Sequence, residues 1–165
     1  MTGKLLTIAI PTYNRAGHLA LLLDTLAIEV RGLEASIDVV VLDNASTDRT
    51  PEVTAGFVAQ CAVGRVVRQA TNIGSAPNFV ACYRAADSHY FWMIGDDDVP
   101  AKGLLAHVVK LLAQDSPDLV YADSKWAEDI TPLVADRTVP RLRMRLIDRE
   151  AFCRRTNVYL TFISS

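Results

Sequence analysis

The chain has 165 residues, 50% of them hydrophobic and 22% charged, which is enough for one well-filled core. Its net charge of −2 argues against general nucleic-acid binding. The longest apolar stretch, Leu19 to Val30, is interrupted by Asp24, Thr25 and Glu29 and falls short of the ~20 residues of a membrane span.

Lys4–Ile10 is a short β-prone run, too short for a signal peptide and without a cleavage site, so it predicts a first strand closed by Pro11. From Ala16 to Val30, Leu19, Leu22, Leu23, Leu26 and Val30 recur at helical spacing. Ile37–Leu42 predicts a second, buried strand. Asp43-Asn44-Ala45-Ser46-Thr47-Asp48 follows it, with Ser46 or Thr47 as the cap of a helix that has Pro51 and Glu52 in its first turn. Arg65–Gln69 is a third strand, and Ser75 or Asn78 starts a helix running through Phe79, Val80, Tyr83 and Ala86. His89–Ile94 predicts a strand covered on both faces, with Trp92 in the core. A helix over 101–113 and a fifth strand over Asp118–Ala122 complete the pattern.

Strands alternating with helices predict an α/β fold: a mostly parallel, twisted sheet with helices on both faces. Ligands of such sheets bind outside the carboxyl ends of the strands. Thr12–Arg15, Asp43–Asp48 and Gly95–Asp98 all follow strand carboxyl ends and are expected to share one crevice.

Asp96-Asp97-Asp98 is the most informative part of that crevice. Three adjacent carboxylates repel one another and are costly to bury unpaired. A hard divalent cation, Mg²⁺ or Mn²⁺, would hold them together, taking one or two carboxylates and completing its shell with phosphate oxygens. The competing reading is an acidic turn at the start of the next helix. Asp43 could accept a hydrogen bond from a base N–H, and Tyr13 could stack on a base ring. Neither a Walker A sequence nor Gly-x-Gly-x-x-Gly is present, which removes the main support for ATPase and dinucleotide readings. His18, His89 and His107 lack metal-ligand spacing and read as structural; Arg68 and Arg84 read as surface residues.

Four stretches in this order, Pro11-Thr12-Tyr13-Asn14-Arg15, Asp43-Asn44-Ala45-Ser46-Thr47-Asp48, Asn72-Ile73-Gly74 and Gly95-Asp96-Asp97-Asp98, resemble the family 2 glycosyltransferases of the GT-A fold. The resemblance covers Leu5 to Trp126. It implies a Rossmann-like GT-A three-layer sandwich, a nucleotide-diphosphate sugar donor, and a saccharide or lipid-linked acceptor. It also implies inverting transfer in bacterial surface polysaccharide synthesis. By the same resemblance, Pro11, Thr12, Tyr13, Asn14, Arg15, Asp43, Asn72, Asp96 and Asp97 would bind the donor. Asp96 and Asp98 would hold Mg²⁺ or Mn²⁺ in an Asp-x-Asp motif, although the acid run can be matched in two registers. Asn44-Ala45 departs from the second Asp and Gly that many members carry.

Residues 1–125 are expected to form the donor-binding core, and 126–165 the start of an acceptor-side region. The pattern fades beyond Trp126 and stops at Thr161-Phe162-Ile163-Ser164-Ser165, as in a truncated donor half whose general base lies past Ser165. Glu128-Asp129 follows the metal motif too closely for that role. Arg137, Arg141, Arg143, Arg145, Arg149, Arg154 and Arg155 make a basic tail suited to an anionic membrane or a lipid-diphosphate acceptor, or simply a solvated face. Cys61, Cys82 and Cys153 are odd in number and widely spaced, which suits reduced thiols in a cytosolic protein. Two alternatives stay open: a non-catalytic nucleotide-sugar-binding fragment and, more remotely, a metal-dependent nucleotidyltransferase or phosphohydrolase.

Overall fold

A computed structural model describes residues 3–115, 117, 118 and 120. Four strands, β1 (Leu6–Thr12), β2 (Ile37–Asp43), β3 (Gly64–Arg68) and β4 (Tyr90–Met93), alternate with four helices. These are α1 (Ala16–Glu29), α2 (Thr50–Gln60), α3 (Ser75–Ala85) and α4 (Leu104–Asp115). The sheet order is β3-β2-β1-β4 and every pair is parallel.

Alternation along β1 and β2 divides the core between the two faces of the sheet. Leu6, Ile8 and Ile10 of β1, with Ile37, Val39 and Val41 of β2, pack with Leu19, Leu22, Leu23 and Leu26 of α1. Phe57 of α2 and Leu105, Val108 and Leu112 of α4 join the same cluster. Ala9, Val40 and Leu42 face the other way, onto Cys82 of α3. The result is a three-layer α/β sandwich with β1 and β2 covered on both faces, which is why both read as nearly continuous apolar runs.

Several expected boundaries move for identifiable reasons. β1 continues through Pro11 to Thr12, in register with Leu42 and Asp43. Its β4 ladder ends where Ile94 N–H donates to the Ala9 carbonyl, while the Thr12 carbonyl accepts from Asn44 on the opposite side. Pro11 carries its nitrogen toward the β4 side, beyond the end of that ladder, so its missing N–H costs no strand hydrogen bond. The β4 side chains are half-buried rather than covered on both faces, because β4 is the edge of the sheet among the described residues. Trp92 packs against the main core from there. Neither Ser46 nor Thr47 caps α2: Arg49 holds the N-cap position without a side-chain cap, and Asp48 Oδ1 just before it accepts the Thr50 N–H at 3.0 Å. α4 starts at Leu104, with Glu29 of α1 accepting the Gly103 N–H at 2.8 Å just before it. The expected fifth strand falls largely outside the described residues, as do Glu128-Asp129, the basic tail and the boundary near residue 125. Among the described residues no helix is long and apolar enough to cross a membrane.

Candidate functional site

The three strand-end loops meet at the carboxyl edge of the sheet, held by side chains from each. Thr12 Oγ1 donates to Asp96 Oδ2 at 2.8 Å, joining the end of β1 to the acid run after β4. Arg15, which precedes α1, reaches the same run: Nη2 pairs with Asp97 Oδ2 at 2.8 Å and Nη1 with Asp96 Oδ1 at 3.3 Å. Asn14 turns the other way. Its backbone takes a left-handed conformation, φ 54°. Its Oδ1 accepts the Thr47 N–H at 2.7 Å and the Asp48 N–H at 3.3 Å, and its own N–H donates to Ser46 Oγ at 3.0 Å. Asp48 returns the contact by accepting the Ala16 N–H at 3.0 Å through Oδ2. One short loop is therefore clasped on one side to the β2–α2 loop and on the other to the acid run. Tyr13, between these anchors, is left exposed.

Asp43 lies 1% exposed at the end of β2, with Oδ1 accepting the Ser46 N–H at 2.9 Å and Oδ2 paired with Arg68 Nη1. Arg68 Nη2 also donates to the Ser46 carbonyl at 2.6 Å. Arg68 is thus part of the site rather than a plain surface residue. Asn44, 3% exposed, ties the Asn72–Gly74 loop to the same rim. Asn78, at the start of α3, donates to the Leu42 carbonyl at 3.0 Å and anchors that loop's far end.

Burial shifts two carboxyls of the acid run. Burial pushes the Asp96 carboxyl above the usual range, opposed by the Thr12 hydroxyl and Arg15 and reinforced by Asp97. Burial also raises Asp98, against the hydrogen bond from Gly95 N–H. Among the described residues no three His, Cys, Asp or Glu side chains form a metal cage by themselves. A Mg²⁺ or Mn²⁺ site that leans on phosphate oxygens needs only one or two carboxylates. A β-carbon on Gly95 would lie 2.9 Å from both Asp97 Oδ1 and Asp98 Oδ2, so the glycine lets two carboxylates close over its bare Cα. That pair fits the donor set of such an ion, while both oxygens of Asp96 are engaged by Thr12 and Arg15.

Of the sequence-predicted donor residues, Thr12, Asn14, Arg15, Asp43, Asp96 and Asp97 are brought together by direct contacts, and Tyr13 and Pro11 by chain continuity. Asn72 joins through Asn44. Arg68, Asn44 and Asp48 escaped sequence reasoning as site-builders. Arg68 faces Asp43 only through the parallel register that sets the two opposite each other, and no local pattern reveals that register.

Comparison with known proteins agrees with this fold. The family model described as glycosyl transferase family 2 matches residues 7–160. The abequosyltransferase RfbV of Salmonella typhimurium is 31% identical over 122 residues, covering 73% of this chain and 36% of the relative. The mannosyltransferase PcManGT from Pyrobaculum calidifontis, solved in complex with GDP-Man and Mn²⁺, superposes with a TM-score of 0.58 at 29% identity, over 66% of this chain and 32% of that one. S. aureus TarS 1-349 in complex with UDP-GlcNAc gives a TM-score of 0.59 at 25% identity, over 67% and 31%. The chain spans about a third of the length of these relatives.

Proposed function

The chain belongs to glycosyl transferase family 2, and we propose that it binds the nucleotide-diphosphate sugar donor for transfer to a saccharide or lipid-linked acceptor. The observation that carries this reading is the convergence of three strand-end loops on one rim, through Thr12–Asp96, Arg15–Asp97 and Asn14–Thr47. It puts an exposed aromatic ring, a buried carboxylate under a half-exposed guanidinium, and an acid run along a single edge. Tyr13 would stack on the base, and Asp43 would read a base N–H once Arg68 moved aside, since the Ser46 N–H and Arg68 take both of its oxygens. Pro11, Thr12, Asn14 and Arg15 would shape the wall next to the ribose and diphosphate, with Asn72 at the far side and Asp96 and Asp97 at the sugar end.

A divalent ion, of the kind present with GDP-Man in PcManGT, would be held by Asp98 together with Asp97 in the arrangement seen here. Asp96 would join only if Thr12 and Arg15 released it. An ion held there would supply positive charge to offset that of the departing nucleotide diphosphate. Arg15 complements it from the protein side, as a cation paired with both Asp96 and Asp97. We assign no general base among the described residues.

We also propose a role in bacterial surface polysaccharide synthesis, with inverting transfer at the cytoplasmic side of the membrane and peripheral contact there through the basic tail; the abequosyltransferase relative supports the sugar transfer itself. A thermal-shift panel of UDP-, GDP-, CDP- and dTDP-sugars with Mn²⁺ tests the donor reading. Stabilisation by at least one nucleotide-diphosphate sugar is expected, and stabilisation by none contradicts it.

A further inference from the structure

Asn44, buried at the end of β2, spends its whole side chain on one loop. Its Nδ2 donates to Asn72 Oδ1 at 2.9 Å and to the Gly74 carbonyl at 3.2 Å, while its Oδ1 accepts the Ile73 N–H at 2.9 Å. Asn72 Oδ1 accepts a second hydrogen bond, from the Gly74 N–H at 2.8 Å.

A backbone N–H can only donate, so Ile73 identifies the oxygen end of the Asn44 amide and Gly74 identifies that of Asn72. The two assignments agree, since Asn44 must then donate where Asn72 accepts. With Asn72 Oδ1 occupied by two donors, the end of the amide left for a ligand is its NH₂ group. That group belongs to an exposed residue on the rim where the strand-end loops meet.

We infer that Asn44 is a positioning residue that presets the Asn72 amide to offer N–H donors to an oxygen acceptor, a phosphate oxygen or base carbonyl of a nucleoside diphosphate. The inference rests on the donor-binding reading above and adds to it the polarity of one contact and the residue that sets it. Aspartate at position 44 would still accept from Ile73, but it would set a carboxylate oxygen against Asn72 Oδ1 and the Gly74 carbonyl. Turning the Asn72 amide over would relieve one clash and press its NH₂ group onto the Gly74 N–H, presenting oxygen to the ligand. Aspartate at position 72 is the cleaner probe. It keeps an oxygen for both Asn44 and Gly74 and turns the outward donor into an anionic acceptor.

Side-chain amide exchange by NMR on the ¹⁵N-labelled chain, with calorimetric titration of UDP, GDP and CDP in Mn²⁺, tests this. The Asn44 NH₂ protons should be protected, while those of Asn72 exchange at solvent rates and shift when nucleotide is added. Asn72→Asp should weaken nucleotide binding by about tenfold or more, the factor expected for one lost hydrogen bond to a charged acceptor, at the parent's melting temperature. Asn44→Asp should weaken binding too, and the double variant should bind no worse than the weaker single one. Protected Asn72 protons, or parent-like binding by Asn72→Asp, would overturn the inference while leaving the donor reading in place. An unsubstituted chain that binds none of the three nucleotides would overturn the donor reading, and this inference with it.

Discussion

Asp43 and Arg68 stand opposite each other in the β2–β3 ladder, and the guanidinium closes over a carboxylate that is otherwise out of reach of water. The strand that supplies the arginine is a half-exposed edge of the sheet among the described residues, so the ion pair fastens β3 as well as serving the site. Arg68→Leu would leave Asp43 with the Ser46 N–H as its one remaining partner. Removing the charged partner of a buried carboxylate should cost about 2 kcal/mol, moderated by water that reaches the half-exposed arginine side. Adding Asp43→Asn should recover part of that loss. Urea denaturation of the two single variants and the double variant measures both terms.

Asp48 divides its carboxylate between two helices, accepting Ala16 N–H at the start of α1 and Thr50 N–H at the start of α2. Desolvation pushes its carboxyl up, but the hydrogen bonds from Thr50 and Ala16 outweigh that and hold it below the usual carboxylate range. Asp48→Ala should cost about 1–2 kcal/mol, the size of a lost N-cap. Asp48→Asn, with one acceptor oxygen left for two donors, should fall between. Equilibrium unfolding of both variants checks the order.

Ala45 holds a left-handed backbone, φ 64°, in the turn after β2. A β-carbon is strained there, and glycine is not. Ala45→Gly should therefore leave stability unchanged or raise it by up to about 1 kcal/mol, although glycine loosens the unfolded chain. A fall in the urea midpoint would contradict the strain argument.

Cys82 is fully buried on the α3 face of the sheet, and burial pushes its thiol up to about 12 from 9.0. A raised acid pKa favours the folded protein while the group is protonated. This contribution is complete below the ordinary thiol value and is lost as pH rises from about 9 towards 12. At pH 8, iodoacetamide should leave Cys82 unmodified in the native chain and label it in urea, as read by peptide mass mapping.

The sandwich was legible because β1, β2 and α1 carry strong apolar periodicity, and the crevice because three polar stretches each follow a strand. Helix starts were less so. Ser46 and Thr47 are good caps by type, but Asn14 from another loop claims both hydroxyls, and Asp48 is the side chain that bonds the Thr50 N–H. Pro11 marked a strand end by local rule, yet it falls where one ladder has already stopped. Arg68 and Asn44 look like ordinary polar residues until register and loop packing bring Asp43 and Asn72 against them. In each case the deciding partner lies far away in sequence.

A divalent cation held by the acid run against a nucleotide diphosphate would depend on Asp98. Asp98→Asn keeps the size of the side chain and removes one anionic ligand. Calorimetric titration of nucleotide diphosphate into parent and variant, each with Mn²⁺ and then with EDTA, gives the answer. The account predicts parent binding that EDTA abolishes, and at least about tenfold weaker binding by Asp98→Asn in Mn²⁺, roughly 1.4 kcal/mol or more. Binding that EDTA leaves untouched and that Asp98→Asn shares at full strength would contradict it.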